Sequence, residues 1–168
     1  NDAYNKDKLM GMVQSKKENS SVYSIGCLGK ISDYQKSKDG RILINLNGII
    51  RFKILTEISS KKLYREFKVD YADFSKDTNI SSSKVEIEDL MDSAKIFFKK
   101  NGLLINWREF EKLDQVQKIN TLAMIAPVTN EEKQKLLETI TLENKVKTLF
   151  DIIKFYLYET SYNNFTIQ

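Results

Sequence analysis

The spacing of apolar residues changes near residue 80, and this change constrains the fold more than any other feature of the chain. Before residue 80, apolar and polar residues alternate in five short segments, which is typical of half-buried strands. After it, apolar residues recur at helical spacing. The sequence therefore predicts an α+β fold, with an N-terminal antiparallel β pseudo-barrel over residues 1–78 and a C-terminal helical bundle over residues 79–168.

The alternating segments cover residues 8–14, 22–34, 41–47, 49–58 and 64–71. Their short connections favour an antiparallel meander that closes, or nearly closes, into a barrel. Asp39-Gly40 is a turn signal because glycine adopts positive φ without a steric penalty. We predict the same role for Gly48 between the third and fourth segments.

A polar stretch of small residues at 75–84 separates the two patterns, and we place the domain boundary there. Beyond it, the sequence predicts helices within residues 82–102, 106–113, 114–126, 129–138 and 141–162. Acidic residues open the first of these helices, and Lys99, Lys100 and Gly102 close it, as the helix dipole and C-terminal capping favour.

The composition is that of a globular protein, with 41% apolar and 30% charged residues. No apolar run approaches ~18 residues, the length that a membrane-spanning helix needs. The N-terminus lacks the apolar core of a signal peptide. We therefore expect a cytoplasmic protein with no membrane partner.

The sequence carries little catalytic chemistry. It has no histidine and a single cysteine, Cys27, which excludes histidine-dependent nucleophile systems and thiolate zinc sites. The stretch GCLGK at 26–30 differs from a phosphate-binding loop in its glycine spacing and in the residue after the lysine. We expect no catalytic residues, no metal site and no cofactor, and a buried strand position for Cys27.

The basic excess lies in the first half of the chain. Residues 1–80 carry 15 basic and 10 acidic side chains, and 23 of the 27 basic residues in the whole chain are lysines. Tyrosine and lysine also interleave at 61–71, a pattern that can stack and neutralise single-stranded nucleic acid. Nucleic-acid binding by the pseudo-barrel is therefore an alternative function. The plainer explanation of the pattern is a lysine-rich surface exposed to solvent.

Nine residues of the alternating half together match one family pattern: Gly26, Gly29, Ile31, Asp39, Gly40, Arg41, Gly48, Arg51 and Phe52. In these residues the chain resembles the substrate-binding N-terminal domain of the Lon protease family. The helical segments LLINW and INTLAMIAPVTNEEKQKLLE resemble its short, stand-alone bacterial members. The resemblance implies a PUA-like barrel in which the motif residues are structural.

The chain departs from the family at its N-terminus, because the proline-rich first strand is not in the sequence. Either the sequence begins inside the domain or this barrel lacks a strand. A missing strand would leave a sheet edge that invites pairing with another chain, including a second copy. The Walker motifs and the Ser-Lys protease of full-length Lon are also not in these 168 residues, so the resemblance implies a binding module without the enzyme.

The implied function is non-catalytic binding of unfolded or exposed polypeptide in protein quality control, with a separate protease as a further partner. Methionine adapts its shape to varied apolar ligands. We therefore expect Met10, Met12 and Tyr64 to line the peptide-contact surface, with core positions for both methionines as the alternative. Peptidase activity is a third and less supported function, since no catalytic motif accompanies it.

Overall fold

The computed structural model describes residues 2–16, 21–78 and 85–163, with side chains up to residue 158. The chain forms two compact units, residues 1–81 and 82–168. Unit 1 holds a β-sheet and unit 2 holds helices, so the predicted α+β class is confirmed. Part of the predicted boundary stretch, residues 79–84, lies outside the described residues.

Unit 1 contains a four-stranded antiparallel sheet in the order β1-β2-β3-β4. The strands are β1 (Leu9–Met12), β2 (Ile25–Lys36), β3 (Ile42–Ile58) and β4 (Glu66–Asp70). Within the described residues the sheet is not closed, so the predicted barrel closure is wrong. The two outer strands are only four and five residues long. β1 pairs with residues 27–30 of β2, and β4 pairs with residues 53–58 of β3. The two outer strands do not pair with each other.

Gly48 does not form a turn, which corrects a second prediction. β3 runs unbroken through it for 17 residues, and Gly48 lies opposite Gly29 of β2. The register shifts beside this pair, between Leu28 and Gly29, so that Ile49 is the extra residue of a β-bulge. A bulge adds one residue to a strand and bends it without reversing the chain. The sequence pattern was divided at Gly48 because a glycine between two apolar segments was interpreted as a turn.

The turn at Asp39-Gly40 is confirmed. Gly40 has φ of +86°, and its N–H donates to the carbonyl of Ser37 at 3.0 Å. Arg41 donates twice to Asp39, from its backbone N–H at 3.1 Å and from Nε at 2.6 Å. These bonds hold the connection between β2 and β3.

A small core joins the sheet to a 3-10 helix, Ala72–Thr78, that follows β4. Its buried apolar residues come from β2, β3 and the 3-10 helix: Ile25, Ile31, Phe52 and Phe74. Most other sheet residues are half-buried or exposed. The sheet therefore leaves much of its surface accessible.

Unit 2 contains α1 (Glu88–Lys100), α2 (Trp107–Phe110), α3 (Gln115–Ile125), α4 (Asn130–Glu138) and α5 (Leu142–Asn163). All five helices lie within the predicted segments or one residue beyond them. Capping boxes begin two of them, Asp114 with Gln117 at α3 and Thr129 with Glu132 at α4. Their shared core includes Ala94, Phe97, Ile119, Leu122, Leu149 and Ile153, each nearly or fully inaccessible. Within the described residues, every helix is too short or too polar to cross a lipid bilayer.

Candidate functional site

β1 is one of the two outer strands of the sheet, and its backbone is exposed at Gly11. β1 pairs with β2 on one side, and the part of the chain that the structure describes supplies no strand on the other. Gly11, at its centre, is exposed. Since glycine has no side chain, its exposure means that solvent reaches the backbone. Within the described residues, residues 9–13, called the β1 edge below, are therefore unpaired on their outer side.

Two hydrogen bonds fix which peptide groups of the β1 edge point outward. Ile31 N donates to the carbonyl of Lys8 at 2.7 Å, and Tyr23 N donates to the carbonyl of Gln14 at 2.9 Å. In an antiparallel pair, alternate residues bond to the partner. Even-numbered residues of this stretch therefore bond to the β2 side. The N–H and C=O groups of Leu9, Gly11 and Val13 point away from the sheet.

Met10 and Met12 lie on one face of β1. Their register partners on β2 are Gly29 and Cys27. Met12 is 53% exposed and Met10 is half-buried, so neither is a fully buried core residue. The position over Gly29 is occupied by the Leu46 side chain, since a Cβ on Gly29 would lie 2.5 Å from Leu46 Cγ. The two methionines thus form a short apolar strip along an open backbone edge.

The structure places Tyr64 apart from this strip in the order of the sheet, before β4. Its hydroxyl donates to Asp2 Oδ2 at 3.4 Å, and Lys62 Nζ lies 5.3 Å from its ring centroid. Lys62 in turn donates to Glu66 Oε1 at 2.5 Å, and this bond raises the pKa of Lys62. Tyr64 is half-exposed. Its described contacts are to polar and charged groups and not to the methionines.

The β1 edge differs from the β4 edge in charge. Residues 9–13 carry no charged side chain, whereas Glu66, Lys68 and Asp70 place a charge at every second position of β4. Regular charges along an edge oppose pairing with apolar strands. The β1 edge lacks this protection, and sequence reasoning that concentrated on its methionines missed Leu9 and Gly11. The uncharged run LMGMV is the signal that could have shown them.

The glycines of the family motif make room for large apolar neighbours. A Cβ on Gly26 would lie 2.6 Å from the carbonyl oxygen of Met12 and 2.7 Å from the Phe52 ring. A Cβ on Gly29 would lie 2.5 Å from Leu46 Cγ. Phe52, the last residue of the motif, is buried directly opposite Gly26. These motif residues build the sheet and lie behind the β1 edge.

The described residues offer little support for a catalytic site. No three His, Cys, Asp or Glu side chains of the described ranges lie close enough to hold a metal ion. Burial raises the pKa of the Cys27 thiol above 9.0, so the thiol is protonated at neutral pH. A half-buried, protonated thiol on a strand is a poor nucleophile.

Unit 2 has one described groove of about 400 Å³. Its apolar floor includes Ile87 and Met91, and its rim holds three acids and two lysines. Two loose ion pairs cross the rim, Lys95 with Asp92 at 4.0 Å and Lys118 with Glu111 at 3.7 Å. The opposite charges largely neutralise one another, so the groove defines no ligand class.

The fold and the open edge define a class of protein: a two-unit α+β domain with an incompletely paired antiparallel sheet and no recognisable catalytic centre in its described part. The model of the ATP-dependent protease La (LON) substrate-binding domain matches residues 1–154. The chain therefore belongs to the Lon substrate-binding domain family. Its 168 residues contain neither the ATPase nor the protease domain of Lon.

Solved structures of low sequence identity share the fold. The Lon N-terminal domain protein from Xanthomonas campestris superposes with a TM-score of 0.64 at 16% identity, over 89% of this chain and 79% of that one. The N-terminal domain of Lon protease from the Mycobacterium avium complex gives a TM-score of 0.54 at 16% identity, over 86% and 77%. A search of curated proteins finds no match.

Proposed function

We propose that this chain is a non-catalytic polypeptide-binding domain that takes an extended segment of an unfolded protein as an added strand on the β1 edge. The observation that carries the proposal is the uncharged, exposed edge at residues 9–13, with outward peptide groups at Leu9, Gly11 and Val13. Family membership supports it, since the matching family model describes a substrate-binding domain.

Strand addition explains how such a site would accept many sequences. Main-chain hydrogen bonds supply affinity without reading side chains, and pockets or strips beside the edge contact alternate residues of the ligand. Met10 and Met12 lie where those alternate side chains would fall. Their flexible thioethers suit varied apolar residues. The expected ligand is therefore an exposed apolar segment in extended conformation, which a folded protein does not display.

A role in protein quality control follows from this ligand class. Unfolded and damaged chains expose apolar strand-forming segments. A domain that binds them without cutting them would retain clients or deliver them to a separate protease, and we propose this role for the chain.

The nucleic-acid alternative gains no specific support from the geometry. Several aromatic rings of unit 1 already face a cation of the same chain, among them Tyr23 with Lys16, Tyr64 with Lys62 and Phe67 with Arg65. Tyr4 and Tyr34 stack on each other at 4.3 Å. Binding of single strands uses ring faces that are open to bases, and these five rings would first have to give up their contacts.

The test is fluorescence anisotropy with a labelled, permanently unfolded polypeptide and, in parallel, a labelled single-stranded RNA. Each is titrated at low and high salt. The proposal expects binding of the polypeptide that changes little with salt. Salt-sensitive binding of RNA alone would instead support the alternative, because phosphate contacts release counterions and weaken steeply as salt rises.

Two variants locate the binding site. Met10→Ser combined with Met12→Ser should weaken polypeptide binding by roughly 30-fold, if each thioether contributes about 1 kcal/mol. Met124→Ser is the matched control, because Met124 is 69% exposed on α3 in unit 2. Unchanged affinity of the double variant, with an unchanged circular dichroism spectrum, would remove the β1 edge as the binding site.

A further inference from the structure

The sequence contains two Asn-Gly pairs, Asn47-Gly48 in β3 and Asn101-Gly102 at the end of α1. Asparagine followed by glycine is chemically labile, because the glycine nitrogen can attack the side-chain amide and glycine has no side chain to obstruct the attack. The attack requires rotation about the Cα–C bond of the asparagine. It is therefore slow wherever the fold holds the backbone on both sides of that bond.

The first pair lies within the central hairpin of the sheet. Asn47 is opposite Lys30, and Gly48 is opposite Gly29, in the ladder between β2 and β3. β3 then continues to Ile58. Rotation at Asn47 would turn the rest of β3 away from β2, so a reaction there requires the hairpin to open.

The second pair lies where α1 ends, and both of its residues are exposed. Apart from chain neighbours, no described atom lies within 4 Å of the position that a Cβ on Gly102 would take. Gly102 N donates to the carbonyl of Lys99 at 3.1 Å, and Leu103 N donates to that of Phe98 at 3.0 Å. Rotation at Asn101 breaks these terminal bonds, and helix ends open at lower free energy than the centre of a sheet.

We propose that Asn101 is a site of spontaneous modification, at which the folded protein slowly converts the side-chain amide to a carboxylate. The Gly102 nitrogen bonds to Cγ of Asn101, the Cγ–Nδ2 bond breaks, and ammonia leaves with the proton of the Gly102 N–H. Water then opens the cyclic succinimide at either of its carbonyl groups. The products are aspartate, or isoaspartate in which the backbone runs through the former side chain. The net reaction is hydrolysis of one amide by water.

The modification weakens the end of α1 in two ways. Nδ2 of Asn101 donates to the carbonyl of Phe97 at 2.8 Å, and a carboxylate cannot donate this bond. The new negative charge also lies at the C-terminal end of the helix, where the macrodipole disfavours anions. Phe97 is buried in the core of unit 2, so old molecules carry a less stable unit 2. None of these steps requires the polypeptide binding proposed above.

The test is peptide mapping by mass spectrometry of the wild-type protein during incubation at physiological temperature and mildly alkaline pH, both folded and in urea. In urea no structure distinguishes the two pairs, so they should react at similar rates. In the folded protein Asn101 should be modified at least about tenfold faster than Asn47, because the helix end opens more readily than the hairpin. Comparable rates in the folded protein, faster reaction at Asn47, or an intact Asn101 after the unfolded chain has reacted completely would overturn the proposal.

Three variants test the consequence for α1, with thermal unfolding followed by the helical circular dichroism signal. Asn101→Asp reproduces the charge and the lost donor, and it should lower the Tm of unit 2 by roughly 4–8 °C. Asn47→Asp is the matched control, because it places the same charge on an exposed residue of β3, and it should leave that transition unchanged.

Asn101→Gln should keep its initial Tm during incubation, because its longer side chain closes a ring far more slowly. The Tm of the wild type should fall as Asn101 is modified. A wild-type Tm that stays constant while Asn101 is converted, or equal effects of Asn101→Asp and Asn47→Asp, would show that the modification does not loosen α1.

Discussion

Arg51 and Asp77 form a two-bond ion pair that holds the 3-10 helix against the sheet. Arg51 Nε donates to Asp77 Oδ2 at 2.8 Å, and Nη2 donates to Oδ1 at 2.7 Å. The guanidinium also lies 4.4 Å from the ring centroid of Phe74. The two side chains are only 11% and 21% exposed. The motif arginine therefore makes structural contacts within unit 1.

Arg51→Ala should destabilise unit 1 by about 2–3 kcal/mol, because it removes the guanidinium that neutralises the Asp77 carboxylate in a mostly buried place and leaves the backbone N–H of residue 51 as a weaker donor. The measurement is urea unfolding followed through the amide resonances of β3. Arg41→Ala is the control within the same motif, since Arg41 is 86% exposed beside Asp39. Its effect should stay within about 0.5 kcal/mol. Equal effects of the two variants would show that the Arg51 pair is no stronger than a surface pair.

Replacing each of two motif glycines by alanine should have different effects on the stability of unit 1. Gly26→Ala should cost about 2–3 kcal/mol or prevent folding, because the new methyl meets the Met12 carbonyl and the Phe52 ring. Gly48→Ala should be neutral or stabilising by up to about 0.5 kcal/mol, since its nearest neighbour is Cys27 Sγ at 3.5 Å and alanine restricts the unfolded chain. Thermal unfolding measures both, and a damaging Gly48→Ala would contradict this account of the bulge.

The Arg65 guanidinium should make the stability of unit 1 depend on pH through Glu57. It donates to both Glu57 oxygens, at 2.7 and 2.6 Å, and this bonding lowers the pKa of Glu57 below 4.5. When the pKa of a carboxyl group is lower in the folded protein than in the unfolded chain, the ionised group stabilises the fold at pH values above its pKa in the unfolded chain. This stabilisation is lost as the pH falls through the pKa that the group has in the folded protein. The stability difference between the wild type and Glu57→Gln should therefore shrink below pH 4.5. A difference in urea unfolding that stays constant from pH 7 to pH 3 would refute the coupling.

Cys27 should react slowly with thiol reagents in the folded protein. Desolvation raises the pKa of its thiol above the ordinary value, and the thiolate is the reactive form. Reaction with a disulfide reagent at pH 8 should therefore be slower in the folded protein than in denaturant, where the thiol is exposed to water and its pKa returns to the ordinary value. Equal rates in the two conditions would show that β2 is open around Cys27.

Local pattern predicted most of the secondary structure. The start of α4 could be read from Thr129 and Glu132, because a capping box involves residues three apart. The Gly40 turn could be read for the same reason. The bulge at Ile49 could not, since a glycine within an apolar run fits a turn as well as a bulge, and only pairing with β2 distinguishes the two.

The candidate site was predictable only in part. Alternation placed Met10 and Met12 on one side of a strand, which is how the structure has them. The contact of Tyr64 with Asp2 joins residues 62 positions apart, and no local rule indicates it. The openness of Gly11 likewise depends on which strands are neighbours of β1.

The sequence by itself determined the order of strands and helices, the turn at Gly40 and the helix caps, because these depend on interactions within a few residues. Tertiary structure alone decided that β1 and β4 are the outer strands among the described residues, that Arg51 binds Asp77 and that Phe52 covers Gly26. Each of these depends on which distant segments meet, and the free energy of such contacts comes from burial and geometry that spacing along the chain does not encode.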